Sequence, residues 1–131
     1  MVYIDKLRHE VAQMVHFVGV GKGSIDYITL RGMTLLKQSD LVIYPYSQIE
    51  KPLVKKMPRF GTKYNIEEMS IENIIAVVKE AQWAHMATVI LTTEEPSPEC
   101  EMSLQMDEFD KHGIHYDFTP GVYPKRRFEF D

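Results

Sequence analysis

Residues Val15–Gly32 read VHFVGVGKGSIDYITLRG, and the order of residue types in this stretch decides the architecture. The apolar run Val15–Val18 suits a strand buried on both faces, as central strands of parallel sheets are. Gly19, Gly21 and Gly23 follow as a turn in which the backbone can adopt unusual dihedrals or approach a neighbour closely. From Ile28 to Lys37 the residues Ile28, Met33, Leu35 and Leu36 predict a helix that packs back on the strand. A strand, a glycine turn and a helix in this order set a ligand-facing loop at the carboxyl end of a strand in an open α/β sheet.

The alternation continues along the chain. Asp40–Tyr44 (DLVIY) predicts a second strand stopped by Pro45, and Ile49–Met57 a weaker helix bounded by Pro52 and Pro58. A short third strand is expected around Gly61–Tyr64. Ser70, followed by Glu72 and Asn73, opens the clearest helix, with Ile71, Ile74, Ile75, Val78 and Ala81 on one face. Ala87–Leu91 (ATVIL) predicts a fourth strand, apolar on both faces. Residues 99–112 predict a helix with Met102, Met106 and Phe109 on one face, closed by Gly113. Ile114–Phe118 predicts the fifth strand. Ahead of all this, residues 3–13 place Ile4, Leu7 and Val11 at helical spacing, so 1–13 is expected to be a helical extension, a docking or dimer element, before a domain spanning 14–131. Strands separated by helices of this length imply a single α/β domain with a parallel sheet of about five strands and helices on both faces. In such a sheet the segments 19–24, 92–98 and 119–124 should meet along one rim, because ligands gather outside strand carboxyl ends.

Composition excludes several classes. A chain of 131 residues, 44% apolar, fits one domain with its own core. Fifteen Lys and Arg against nineteen Asp and Glu leave a charge of -4, which disfavours a general nucleic-acid binder. The one basic cluster, Lys125-Arg126-Arg127, is short and terminal. Cys100 is the only cysteine, which rules out an intramolecular disulfide and a Cys-x-x-Cys metal site and makes a cytoplasmic, reducing home the default. Asp5, His9 and Glu10 interrupt the N-terminal apolar residues, so neither a secretory signal nor a membrane span is expected.

Single motifs carry little. Glycines at a strand end often only turn the chain. A dinucleotide fingerprint needs a third glycine where Ser24 stands and an acid where Tyr44-Pro45-Tyr46 stands, and a phosphate loop needs glycine where Phe17 stands. The order of the loops is more specific. Phe17–Ser24, ITLRG at 28–32, DLVIY at 40–44, TEEPS at 93–97 and Pro120–Val122 resemble the N-terminal half of the tetrapyrrole methylases, above all the precorrin-4 type. That family shows a strand into G-x-G-P-G-D-P, then ITLKG, DVVIY, T-G-D-P-S and P-G-V-S.

The resemblance implies a Rossmann-like three-layer domain of S-adenosylmethionine-dependent methyltransferases of cobalamin biosynthesis that pair as homodimers. It puts Lys22, Thr93, Glu94, Glu95, Pro98, Tyr123 and Pro124 at positions that touch the methyl donor, with Gly19, Gly21 and Gly23 shaping the first loop. Tyr46 and Ser47 fall where a tetrapyrrole substrate would lie. No general base and no metal are implied. The departures are Lys22 and Ser24 in place of proline and aspartate, Glu94-Glu95 in place of Gly-Asp, and Tyr123-Pro124 in place of small residues. Glu94 adds bulk and charge beside the donor. The family holds its donor between two α/β domains, and this sequence is expected to supply one wall of that cleft. A second expectation is therefore a non-catalytic module for dimerisation or for binding a partner or tetrapyrrole. As bland alternatives, Glu94 and Glu95 read as a solvated pair, His112 and His115 as surface residues, Met33, Met102 and Met106 as core, and Trp83 as packed on a neighbour.

Overall fold

The computed structural model describes residues 14–123. The expected extension 1–13 and Pro124 lie outside the described residues. Five strands, β1 (Val15–Gly19), β2 (Leu41–Tyr44), β3 (Thr62–Asn65), β4 (Thr88–Thr92) and β5 (Tyr116–Thr119), alternate with helices α1 (Leu30–Lys37), α2 (Lys51–Val54), α3 (Ile71–Trp83) and α4 (Glu101–Lys111). The sheet order is β3-β2-β4-β1-β5, and every neighbouring pair is parallel.

Side chains alternate across each strand, so the sheet carries two cores. Val15, Phe17, Leu41, Ile43 and Ile90 pack beneath α3 and α4. Val18, Val42, Tyr44, Val89 and Leu91 pack beneath α1 and α2. The central strands β1, β2 and β4 are buried throughout, while the edge strand β3 is half solvated, as its position demands. One buried polar side chain, His16 on β1, pairs through Nδ1 with Asp117 Oδ1 on β5 at 2.7 Å and ties that edge down.

Element ends follow local hydrogen bonding more closely than apolar spacing suggests. α1 starts at Leu30 rather than Ile28 because the Thr29 hydroxyl caps it, accepting from Gly32 N at 3.1 Å; a separate 3₁₀ turn covers Ile25–Tyr27. α2 shrinks to Lys51–Val54, with a proline in its first turn. α3 has the expected cap, a reciprocal pair in which Ser70 and Asn73 satisfy each other's backbone amides. β5 begins two residues later than expected because Ile114 closes α4: its N–H donates to Phe109 O at 2.9 Å while Gly113, φ 68°, turns the chain. Met102 is buried, and Met33 and Met106 pack against the cores. Trp83 departs from expectation. It ends α3 and is 87% exposed.

Candidate functional site

The strand order sets β4, β1 and β5 side by side, so the turns at 19–24, 92–98 and 119–123 leave the sheet along the same rim. They are knitted together. Val20 N donates to Thr92 O at 3.0 Å and Val122 N to Tyr27 O at 2.8 Å. The Tyr123 hydroxyl donates to Glu94 O at 2.6 Å. Gly19 and Gly121 pass so closely that a Cβ on Gly121 would stand 2.3 Å from Gly19 O. Gly21 and Gly23 both take positive φ, and a Cβ on Gly23 would meet Gln48 O at 1.9 Å. The glycines here therefore serve the contact between loops as well as the turn. Lys22 stands exposed between them.

The loop after β2 joins the same rim. Glu50 N donates to Gly23 O at 2.9 Å, and the Thr93 hydroxyl bonds Gln48 Oε1. Tyr46 is 45% exposed, with its ring 4.6 Å from that of Tyr44. Ser47 is held by Glu67, whose Oε1 accepts from Ser47 N at 2.9 Å and whose Oε2 accepts from its hydroxyl. Those bonds hold the Glu67 carboxyl below its ordinary pKa. Burial, then the carboxylate of Glu95, raises the Tyr123 phenol, so it is the neutral form that donates to Glu94.

Beyond the carboxyl ends of the paired strands β2 and β4 lies a cavity of about 390 Å³. It occupies the point where outgoing connections part, since β2 leads toward β3 on one side and β4 toward β5 on the other; crevices of this kind are the usual ligand sites of open α/β sheets. Ile66, Met69, Ile90 and Met102 contribute apolar side chains to its lining. Glu67, Glu94 and Glu101 bring carboxylates to it, and no Lys or Arg lines it. Gln48, Thr93 and Gln105 supply uncharged polar groups. A crevice whose only charged lining groups are carboxylates favours a cationic or neutral ligand over an anionic one.

Of the residues singled out from sequence, Thr93 and Glu94 line this cavity. Gly19, Gly21, Gly23 and Tyr123 build the adjoining rim, while Lys22, Glu95 and Pro98 are exposed around it. Glu94 and Glu95 are both exposed, as expected of a solvated pair. His112 and His115 are exposed, and among the described residues no group of three or more His, Cys, Asp or Glu is placed to hold a metal ion. Sequence reading missed Gln48, Glu67 and Gln105. Only Gln105 left a trace: it interrupts the stripe Met102, Met106, Phe109 with an amide.

A five-stranded parallel sheet whose loops converge beside such a crevice defines the class, an open α/β domain of the kind in which ligand sites lie at strand carboxyl ends. The particular family follows from comparison with known proteins. The chain belongs to the Tetrapyrrole (Corrin/Porphyrin) Methylases, whose pattern matches residues 14–123. It is 32% identical over 108 residues to the cobalt-precorrin-4 C(11)-methyltransferase of Methanocaldococcus jannaschii, covering 82% of this chain and 42% of that protein. It is 31% identical to the precorrin-4 C(11)-methyltransferase of Sinorhizobium sp, covering 82% of this chain and 43% of the relative. This chain thus spans less than half the length of these relatives. The solved structure of a cobalt precorrin-4 methyltransferase shares the fold, with TM-score 0.78 at 24% identity over 86% of this chain and 47% of that one. So does a Thermus thermophilus uroporphyrin-III C-methyl transferase complexed with S-adenyl homocysteine, with TM-score 0.67 at 24% identity over 84% of this chain and 45% of that one.

Proposed function

We propose that this domain serves S-adenosylmethionine-dependent methylation of a tetrapyrrole of the precorrin-4 type in cobalamin biosynthesis. The methyl donor lies against the rim built by Gly19–Gly23, Thr93–Glu95 and Tyr123, with Pro98 beside it, and the macrocycle lies toward Tyr46 and Ser47. The observation that carries this reading is the convergence of the three turns on one edge of the sheet, with Val20 bonded to Thr92 and Tyr123 to Glu94. Methyl transfer from a sulfonium needs in-line positioning of donor and acceptor far more than acid–base help, and a rim of backbone turns supplies such positioning. The carboxylates that Glu67 and Glu101 bring to the crevice beside it suit the cationic sulfonium.

Calorimetric titration with S-adenosylmethionine, together with thermal unfolding, tests the proposal. Donor at a hundred times its dissociation constant should stabilise the fold by about 2.7 kcal/mol; no heat and no thermal shift would overturn it. The double variant Glu94→Gly, Glu95→Asp should bind donor more tightly if the Glu94 side chain crowds the site. Unchanged affinity would instead point to a wall supplied by a second domain. Light scattering tests the homodimer carried over from the family. No helix among the described residues is long and apolar enough to cross a membrane; the cytoplasmic location is proposed on the single cysteine, Cys100.

One observation favours a second reading, a module that binds a partner or tetrapyrrole without catalysis. The Tyr123 hydroxyl and the Glu94 backbone satisfy each other, and the Glu94 carboxylate reaches back toward Glu101 N at 3.5 Å, so the rim is closed on itself. Retained tetrapyrrole binding with no response to donor would select this reading.

A further inference from the structure

The polar groups of the β2–β4 cavity are nearly all spoken for. Gln48 is bonded to Thr93, Glu67 to Ser47, and the Thr92 hydroxyl accepts from Glu94 N at 3.3 Å. Gln105 differs. It sits on the inward face of α4 between Met102 and Phe109 and is 7% exposed, yet its amide makes no hydrogen bond among the described residues. No polar side-chain atom among them is both sealed from solvent and unpaired, so the Gln105 amide keeps an opening to the space it lines, which is this cavity and the adjoining groove between α3 and α4. A buried amide on an apolar stripe is costly unless something bonds it.

We propose that Gln105 is a ligand-reading residue, and that the part of the ligand seated against it is an uncharged nitrogen group offering an N–H, a ring nitrogen or both. The amide presents a donor and an acceptor side by side and can match either order by turning about its last bond. A carboxylate would use only the donor and would sit among Glu67, Glu94 and Glu101 with no lysine or arginine to offset them. Two sources share the favoured chemistry: the adenine edge of the methyl donor, and the pyrrole N–H groups of a reduced macrocycle, whose saturated bridges let those groups tilt out of plane. The inference rests on the donor-and-tetrapyrrole reading above and assigns it a residue.

The test uses the full 131-residue chain, wild type, Gln105→Leu and Gln105→Glu, titrated with S-adenosylhomocysteine and, under argon, with uroporphyrinogen III. Leucine removes both hydrogen-bonding groups at similar volume, and glutamate keeps only acceptors. The expected result is a loss on the order of tenfold for one ligand in both variants, the scale of a buried polar group left unpaired, with the unliganded Gln105→Leu protein melting no lower than wild type. Weakening confined to S-adenosylhomocysteine identifies the adenine as occupant; weakening confined to uroporphyrinogen identifies the macrocycle. Unchanged affinity for both ligands overturns the inference and leaves the proposed function standing. Failure of wild type to bind either ligand overturns both. Weakening of both together with a lowered melting temperature marks a packing role and overturns the inference alone.

Discussion

At the scale of single residues, the Ser47–Glu67 clasp is the contact most open to measurement. It joins the turn after β2 to the segment after β3, holding one wall of the cavity, and it consists of backbone and hydroxyl bonds to an exposed carboxylate. Because those bonds depress the folded carboxyl pKa, their stabilisation is present above the unfolded value and is lost as pH falls through the folded value, below the ordinary glutamate range. The Ser47 amide resonance should therefore shift in an acid titration with a midpoint below that of an unperturbed glutamate. In Glu67→Gln the shift should vanish. A midpoint at the ordinary value would mean that the clasp does not form in solution. Nothing in the sequence announces this pair, since a serine and a glutamate twenty positions apart become partners only when β2 and β3 lie side by side.

At the scale of elements, legibility tracks how local the signals are. α3 was readable because its cap and its apolar face both lie within its own residues: Ser70 and Asn73 close the first turn, and Ile74, Ile75, Val78 and Ala81 follow at helical spacing. Ser70→Ala should cost about 1 kcal/mol in urea unfolding, the usual scale for a lost N-cap, and no change would mean that the box adds nothing beyond solvation. α2 was overread because apolar residues at Ile49 and Met57 belong to the core through the turns that flank the helix rather than through the helix itself. The start of β5 was misplaced for a related reason. Ile114 is apolar and β-branched like a strand residue, but its amide is committed to the end of α4. Trp83 was misread as packed because its position on the helix circumference, relative to the sheet, is a tertiary quantity.

At the scale of the whole molecule, the rim depends on close passage of loops from opposite ends of the sequence, and that can be probed with two glycines. Gly121→Ala would press a methyl group into the backbone of Gly19 and Tyr27, and should cost about 1–3 kcal/mol by overpacking while also weakening donor binding. Gly113→Ala meets nothing within 4 Å but has φ +68°, so it should cost about 1 kcal/mol of backbone strain and leave donor affinity untouched. Equal effects of the two substitutions on binding would refute the convergence of the loops as the basis of the site. The alternation of strands and helices, the two apolar faces of the central strands and the identity of the rim loops were legible in the chain alone, because each is written in contiguous residues whose period reports burial. The insertion of β4 between β2 and β1, and with it the crevice that gathers Gln48, Glu67 and Gln105, was settled only by tertiary structure. Strand pairing is a non-local contact between segments with similar apolar patterns, so any of several orders would bury the same side chains, and the one that forms decides which polar groups face each other across the opening.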